Sequence, residues 1–127
     1  MPVDAQPDRY VEAIAGLEAA KRYAAAIQSY RVANLRWPRD SAVLLGIGNI
    51  HYAQGELSAA ADSYRSVLGV DSRHAVARNN LAQVLLEQGE AQAALEEIER
   101  ARAALTDPRF LPLLEETQNE IRRALRQ

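Results

Sequence analysis

Apolar residues recur along this chain at helical spacing, in blocks separated by short polar breaks. Tyr10, Ala13, Ile14, Leu17 and Ala20 share one face of a helix. Lys21-Arg22 is a short turn, and a second stripe follows in Tyr23, Ala26, Ile27, Tyr30, Ala33 and Asn34. It ends at Trp37-Pro38, because proline disfavours the helical conformation in the residue before it. Leu44, Ile47, Gly48 and His51 form the third stripe, and Gly55 stops it by taking the left-handed conformation past a helix end. Leu57, Ala60, Ala61, Tyr64, Val67 and Leu68 form the fourth. Leu81, Ala82 and Leu85, then Gly89, then Ala94, Leu95, Ile98 and Ala101 repeat the pair, and Pro108 closes it. The last stripe is Phe110, Leu114, Thr117, Ile121 and Leu125, with Glu115, Glu116, Glu120 and Arg122 left outside. The pattern predicts seven helices and no strand. Residues 1–7, polar and with two prolines, are expected to be a disordered lead-in.

The stripes repeat with a period of 34 residues. Residues 7–40, 41–74 and 75–108 can be superposed so that Ala26, Ala60 and Ala94 coincide. Tyr30, Tyr64 and Ile98 coincide too, as do Ala33, Val67 and Ala101. A fixed period in this range marks stacked helix hairpins. The second unit reads Leu44, Ile47, Gly48, His51, Gly55, Ala60, Tyr64 and Val67; the third reads Arg78, Leu81, Ala82, Leu85, Gly89, Ala94, Ile98 and Ala101. The first is more worn, with Lys21 in place of the turn glycine and Pro38 near its end. These residues resemble the tetratricopeptide repeat (TPR). The resemblance implies an all-α fold, a right-handed superhelical α-solenoid of three TPR hairpins. Three repeats are expected over residues 8–108 (7–40, 41–74 and 75–108). Residues 109–127 would add a C-terminal capping helix that covers the open end of the stack.

Each matched position has a steric reason. Gly48 and Ala82 are expected where the first helix of a hairpin meets the second, with Ala26, Ala60 and Ala94 across from such positions. A larger side chain there would force the helices apart. Lys21 is expected to give the first turn a different backbone shape from the turns at Gly55 and Gly89.

The formal net charge of −2 and the lack of a basic block argue against nucleic acid as partner. Cysteine is absent, which removes disulfides and thiolate chemistry from this chain. No apolar run approaches the length of a membrane span, so membrane insertion is not expected. The start carries no basic region followed by an apolar stretch, unlike a signal peptide. The compartment stays open: cytoplasm if the chain is complete, periplasm if it is a fragment of a longer protein. With two histidines, His51 and His74, no metal or catalytic constellation can be assembled, and no cofactor is expected. His51 reads as an inter-helix packing residue and His74 as a loop residue. Glu96, Glu97 and Glu99 read as a solvated face partly paired with Arg100.

What the resemblance implies about function is a peptide-binding groove lined by the first helix of each hairpin. Carried onto this chain, the inward positions include Leu45, Asn49, Tyr52, Val76, Asn79, Gln83 and Leu86. Leu45, Tyr52, Val76 and Leu86 offer apolar contact; Asn49, Asn79 and Gln83 offer amides that can pair with an extended backbone. The family's clamp for a terminal carboxylate is not matched. Val11, Ala15, Gly46, Val76 and Asn80 occupy its positions, and none is cationic. The expected role is a non-catalytic interaction module with a protein or peptide ligand. Two other readings stand beside it. Trp37-Pro38, Gly46-Ile47-Gly48-Asn49 and Asn79–Leu86 also resemble the TPR tail of bacterial papain-like, bacteriocin-processing-type cysteine peptidases. The chain would then position a substrate or partner for that enzyme. The other is a self-associating scaffold, a homodimer through residues 8–36.

Overall fold

The computed structural model describes residues 6–19 and 21–127. The described residues contain seven α-helices and no strand. The chain divides into two compact units, Met1–Val70 and Asp71–Gln127. The first holds α1 (Pro7–Ala19), α2 (Tyr23–Arg36), α3 (Ser41–Ala53) and α4 (Leu57–Val70). The second holds α5 (Ala75–Glu87), α6 (Ala91–Ala103), a 3₁₀ turn at Pro108–Phe110 and α7 (Leu111–Leu125). Of the lead-in expected over residues 1–7, residues 1–5 lie outside the described residues, and α1 already begins at Pro7.

In the first unit α1 packs on α2 and α3, α2 on α3, and α3 on α4. Ile14, Ala26, Ile27, Tyr30, Ala33, Val43 and Ile50 form its buried cluster, flanked by Leu17, Tyr23, Trp37 and Ile47. Of the expected α1 stripe, Ala20 and the side chains of Tyr10 and Ala13 lie outside what is described. Helix α2 ends where Trp37-Pro38 requires, and the Trp37 N–H bonds the Ala33 carbonyl at 2.8 Å. The Arg36 guanidinium lies 5.2 Å from the centre of the Trp37 ring, a cation–π contact.

Small residues on α3 set its distance from both neighbours. A Cβ at Gly48 would fall 2.6 Å from Tyr64 Cε1 of α4, and one at Gly46 would fall 2.6 Å from Tyr30 Oη of α2. Both aromatic rings therefore lie against bare backbone. Gly48 thus meets the Tyr64 ring and Ser63. Ala60 is fully buried on the same helix, as are Ala26 in α2 and Ala94 in α6.

Each hairpin closes with the same turn. Arg22 N–H bonds the Leu17 carbonyl at 2.8 Å, Glu56 N–H the His51 carbonyl at 2.9 Å, and Glu90 N–H the Leu85 carbonyl at 2.8 Å. These are the six-to-one bonds of a Schellman motif, which needs a left-handed residue just before the donor. Gly55 and Gly89 supply it with φ of 77° and 82°. Lys21 supplies it with φ of 59°. The expectation that Lys21 would change the turn is therefore corrected: the closing hydrogen bond imposes the left-handed conformation on a side chain that disfavours it.

In the second unit α5 packs on α6, and α7 packs on both. Leu114, Thr117 and Ile121 of α7 are buried as the last stripe predicts, while Phe110 is half-buried in the 3₁₀ turn and Leu125 is exposed. Gln118 is buried as well, its Oε1 accepting from Arg102 Nη1 of α6 at 2.6 Å. So α7 covers the α5–α6 hairpin through a partly polar face.

Candidate interaction surfaces

The two halves of the predicted groove are described unit by unit. Leu45, Asn49 and Tyr52 follow i, i+4, i+7 spacing on α3, so they share a face. All three are half-buried. The start of α3 is fixed by Asp40, whose Oδ1 accepts from the Val43 N–H at 3.0 Å. Asn49 is engaged from within the unit: its Oδ1 accepts from the Tyr64 hydroxyl at 2.7 Å. That bond orients the amide relative to the α4 tyrosine.

Val76, Asn79, Gln83 and Leu86 lie at i, i+3, i+7 and i+10 on α5 and share a face likewise. Their environments differ. Gln83 and Leu86 are half-buried, whereas Asn79 is only 1 % exposed. The Asn79 Oδ1 is buried without a hydrogen-bond partner among the described residues. Val76 lines a cleft between the start of α5 and the segment that joins α6 to α7.

The start of α5 is set by His74, whose Nδ1 accepts from the Ala77 N–H at 3.1 Å. An accepting Nδ1 is unprotonated, so the neutral ring carries its proton on Nε2. The period contained the signal for this cap: His74 follows Asp40 by one repeat, and Asp40 caps α3 in the same way. The other histidine, His51, is half-buried and its Nδ1 lies 3.2 Å from Glu56 Oε1 across the α3–α4 turn. No cluster of three or more metal-ligating side chains occurs among the described residues.

Charged groups in the second unit depart from expectation at Glu97. Its carboxylate is not on a solvated face. Arg78 Nη1 donates to Oε2 at 2.8 Å and Arg100 Nη1 to Oε1 at 2.9 Å. The Arg78 and Glu97 side chains are both largely buried. Arg78 also donates Nε and Nη2 to the Ser72 carbonyl, at 3.1 and 2.9 Å. It occupies the repeat position filled by Leu44 in the preceding unit, and a guanidinium in a packing position draws its own carboxylate inward. Near α7, Asp107 Oδ1 accepts the Arg109 N–H at 3.0 Å and its carboxylate binds the Arg109 guanidinium at 2.7 Å. The side-chain bond from Arg109, and then its backbone N–H, hold the Asp107 carboxyl below its ordinary value.

A family model described as tetratricopeptide repeat matches residues 10–72 and 45–108, most of the chain. The chain belongs to the tetratricopeptide repeat family. Solved TPR-like structures match it closely in fold and distantly in sequence. The Yersinia enterocolitica type III secretion chaperone SycD, in complex with a peptide of the translocator YopD, is 20 % identical with a TM-score of 0.82, covering 91 % of each chain. PcrH in complex with the chaperone-binding region of PopD is 17 % identical with a TM-score of 0.84, covering 98 % of this chain and 97 % of that one. The Sgt2 TPR domain of Aspergillus fumigatus is 22 % identical with a TM-score of 0.78, covering 95 % and 82 %. A search of curated proteins gives no match. The all-α TPR-solenoid class and the C-terminal capping helix read from the sequence are borne out.

Proposed function

We propose that this TPR chain is a non-catalytic interaction module that binds a peptide or protein segment along the first helices of its hairpins. The observation that carries this reading is the family membership, joined to a half-open mixed lining on those helices. On α3 the contacts would be Leu45, Asn49 and Tyr52; on α5 they would be Val76, Gln83 and Leu86, with the buried Asn79 shaping the same face. Apolar side chains take up apolar anchors of the segment, and amides bond its backbone. Two neighbours of the same fold, SycD and PcrH, are found with peptides of their partner proteins, which supports a ligand of that class.

The test is a peptide selected from a displayed random library on the wild-type chain. Its affinity is then measured against Leu45→Lys, Gln83→Ala and Leu86→Lys. Each charged replacement is expected to weaken binding at least about tenfold, the scale of one lost anchor. Unchanged affinity in all three would remove these faces from the reading.

A second reading, self-association, is favoured by α2. Val32 and Leu35 are 46 % and 86 % exposed there, three residues apart on one face. Sedimentation of wild type and Leu35→Glu across a concentration series tests it; a single-chain mass for the wild type at high concentration sinks it.

A further inference from the structure

The outer face of α2 differs from its counterparts in the other two repeats. Of the three large apolar side chains exposed among the described residues, two stand on it, Val32 and Leu35. They lie three residues apart, on the side of the helix opposite the buried Ala26, Ile27, Tyr30 and Ala33. One repeat on, their positions hold Ser66 and Gly69; two repeats on, they hold Arg100 and Ala103. The other hairpins are thus built without a large apolar side chain at either position. Packing of the hairpin does not account for Val32 and Leu35, and both remain in water at a cost.

The charge around this pair is of one sign. All the charged residues from Lys21 to Arg39 are cationic: Lys21, Arg22, Arg31, Arg36 and Arg39. Around the helix, the apolar pair lies between Arg31 on one side and Arg36 on the other, and Arg39 follows just past the helix end. Arg31 and Arg39 are exposed and form no ion pair among the described residues. Arg36 lies over the Trp37 ring, a contact that leaves its positive charge in place. The elements packed against α2 do not answer these charges. Helix α3 carries no carboxylate. On α1, Asp8 and Glu12 are exposed and pair with no cation of α2 among the described residues, while the Glu18 side chain lies outside what is described. Asp40 turns its Oδ1 to the Val43 N–H. The equivalent faces elsewhere are mixed: α4 has Asp62 beside Arg65, and α6 has Glu96 and Glu99 beside Arg100.

We infer that the outer face of α2 docks an acidic amphipathic helix of a partner protein. The apolar stripe of that helix covers Val32 and Leu35, and its flanking Asp or Glu carboxylates meet Arg31 and Arg39. This site is separate from the first-helix faces proposed above, and it gives the Val32–Leu35 strip a different occupant from a second copy. A copy offering its own α2 would set arginine against arginine. A flat anionic bilayer would reach past α2 to α4, whose matching face presents Asp62 and no large apolar side chain.

The experiment titrates the full chain with three end-capped peptides of about four helical turns, following backbone amide shifts by NMR. The first has a leucine stripe flanked by glutamates, the second has glutamines for the glutamates, and the third has alanines for the leucines. The first should shift Gln28, Arg31, Val32 and Leu35, bind tighter than the third, and bind about fivefold tighter than the second, as one or two exposed ion pairs allow. Arg31→Gln combined with Arg39→Gln should abolish the difference between the first two, as should high salt. Val32→Ser combined with Leu35→Ala, which takes residues the other repeats already use, should weaken both leucine peptides at least about fivefold and leave the melting temperature unchanged. Equal binding of the glutamate and glutamine peptides, shifts confined to α3 or α5, or affinity untouched by the Val32 and Leu35 replacements would each overturn the proposal. So would wild-type binding to phosphatidylserine–phosphatidylcholine vesicles that the Val32→Ser, Leu35→Ala variant loses, which assigns the strip to a lipid surface. A wild-type dimer that the same variant dissociates would assign it to a second copy and overturn the proposal likewise.

Discussion

The hydroxyl of Tyr64 donates to the side-chain carbonyl of Asn49 at 2.7 Å, and the same ring lies over the bare backbone of Gly48. One aromatic residue on α4 thus fixes both the spacing of its hairpin and the orientation of a candidate ligand-binding amide. Adding a methyl group at Gly48 pushes on that ring. Gly48→Ala should lower stability by about 1–3 kcal/mol, as overpacking does. Gly69→Ala is the control: nothing lies within 4 Å of its Cβ position in α4. That change should be neutral or stabilise by up to about 1 kcal/mol through helix propensity. Thermal melts of the two variants compare them directly. Tyr64→Phe, which keeps the ring and removes the bond, should cost about 1 kcal/mol.

Lys21 holds a left-handed conformation that Gly55 and Gly89 hold at equivalent turns. A left-handed backbone costs a non-glycine residue roughly 1–2 kcal/mol. Lys21→Gly should therefore raise stability, by about 1 kcal/mol after the added chain entropy of glycine is subtracted. Gly55→Ala and Gly89→Ala should move the other way by a similar amount. Denaturant midpoints at constant slope read all three; a Lys21→Gly variant less stable than wild type would contradict the turn geometry.

Arg78 joins the Ser72 carbonyl to Glu97 of α6, with both charged side chains mostly out of water. Removing Arg78 leaves Glu97 with Arg100 alone and takes both guanidinium bonds from the Ser72 carbonyl. Arg78→Ala should destabilise by about 2–3 kcal/mol, since hydrogen bonds to charged groups sit near that size. A paired replacement, Arg78→Leu with Glu97→Leu, should recover most of the loss. A double-mutant cycle measures the coupling.

Asp107 offers a pH-dependent contact. Its carboxyl is held below its ordinary value of 3.8, chiefly by the Arg109 side chain. The folded state thus binds this proton less tightly than the unfolded chain does. The stabilisation is present above the ordinary value and is lost as pH falls through the lowered one. An NMR titration should place the Asp107 midpoint below 3.8 in wild type, and Arg109→Gln should raise it. An unchanged midpoint in the variant would break the assignment.

The helical stripes and their period were enough to place every helix of the described chain. Ala26, Ala60 and Ala94 could be read because the same small residue recurs at one position of all three units, where each is fully buried. Three features escaped that reading for a common reason: each depends on a partner outside its own stripe. Glu97 looks solvated until Arg78, nineteen residues away, reaches it. Gln118 looks like a surface residue of α7 until Arg102 is brought alongside. Lys21 looks like a defective turn residue, yet the hydrogen bond from Arg22 to Leu17 decides its backbone. In the candidate site, spacing put Asn79 on one face of α5 with Val76, Gln83 and Leu86 but could not reveal that the amide is enclosed.

Helix α3 has a glycine beneath a tyrosine from each neighbouring helix, Tyr30 at Gly46 and Tyr64 at Gly48. Two glycines in one short segment weaken its own tendency to coil by about 2 kcal/mol, so α3 borrows its order from α2 and α4. A fragment ending before residue 41 would strip Tyr30 of its lid, and one beginning after residue 56 would leave Tyr64 bare. The first four helices should accordingly melt as one cooperative block, and a piece holding α1 and α2 alone should not fold.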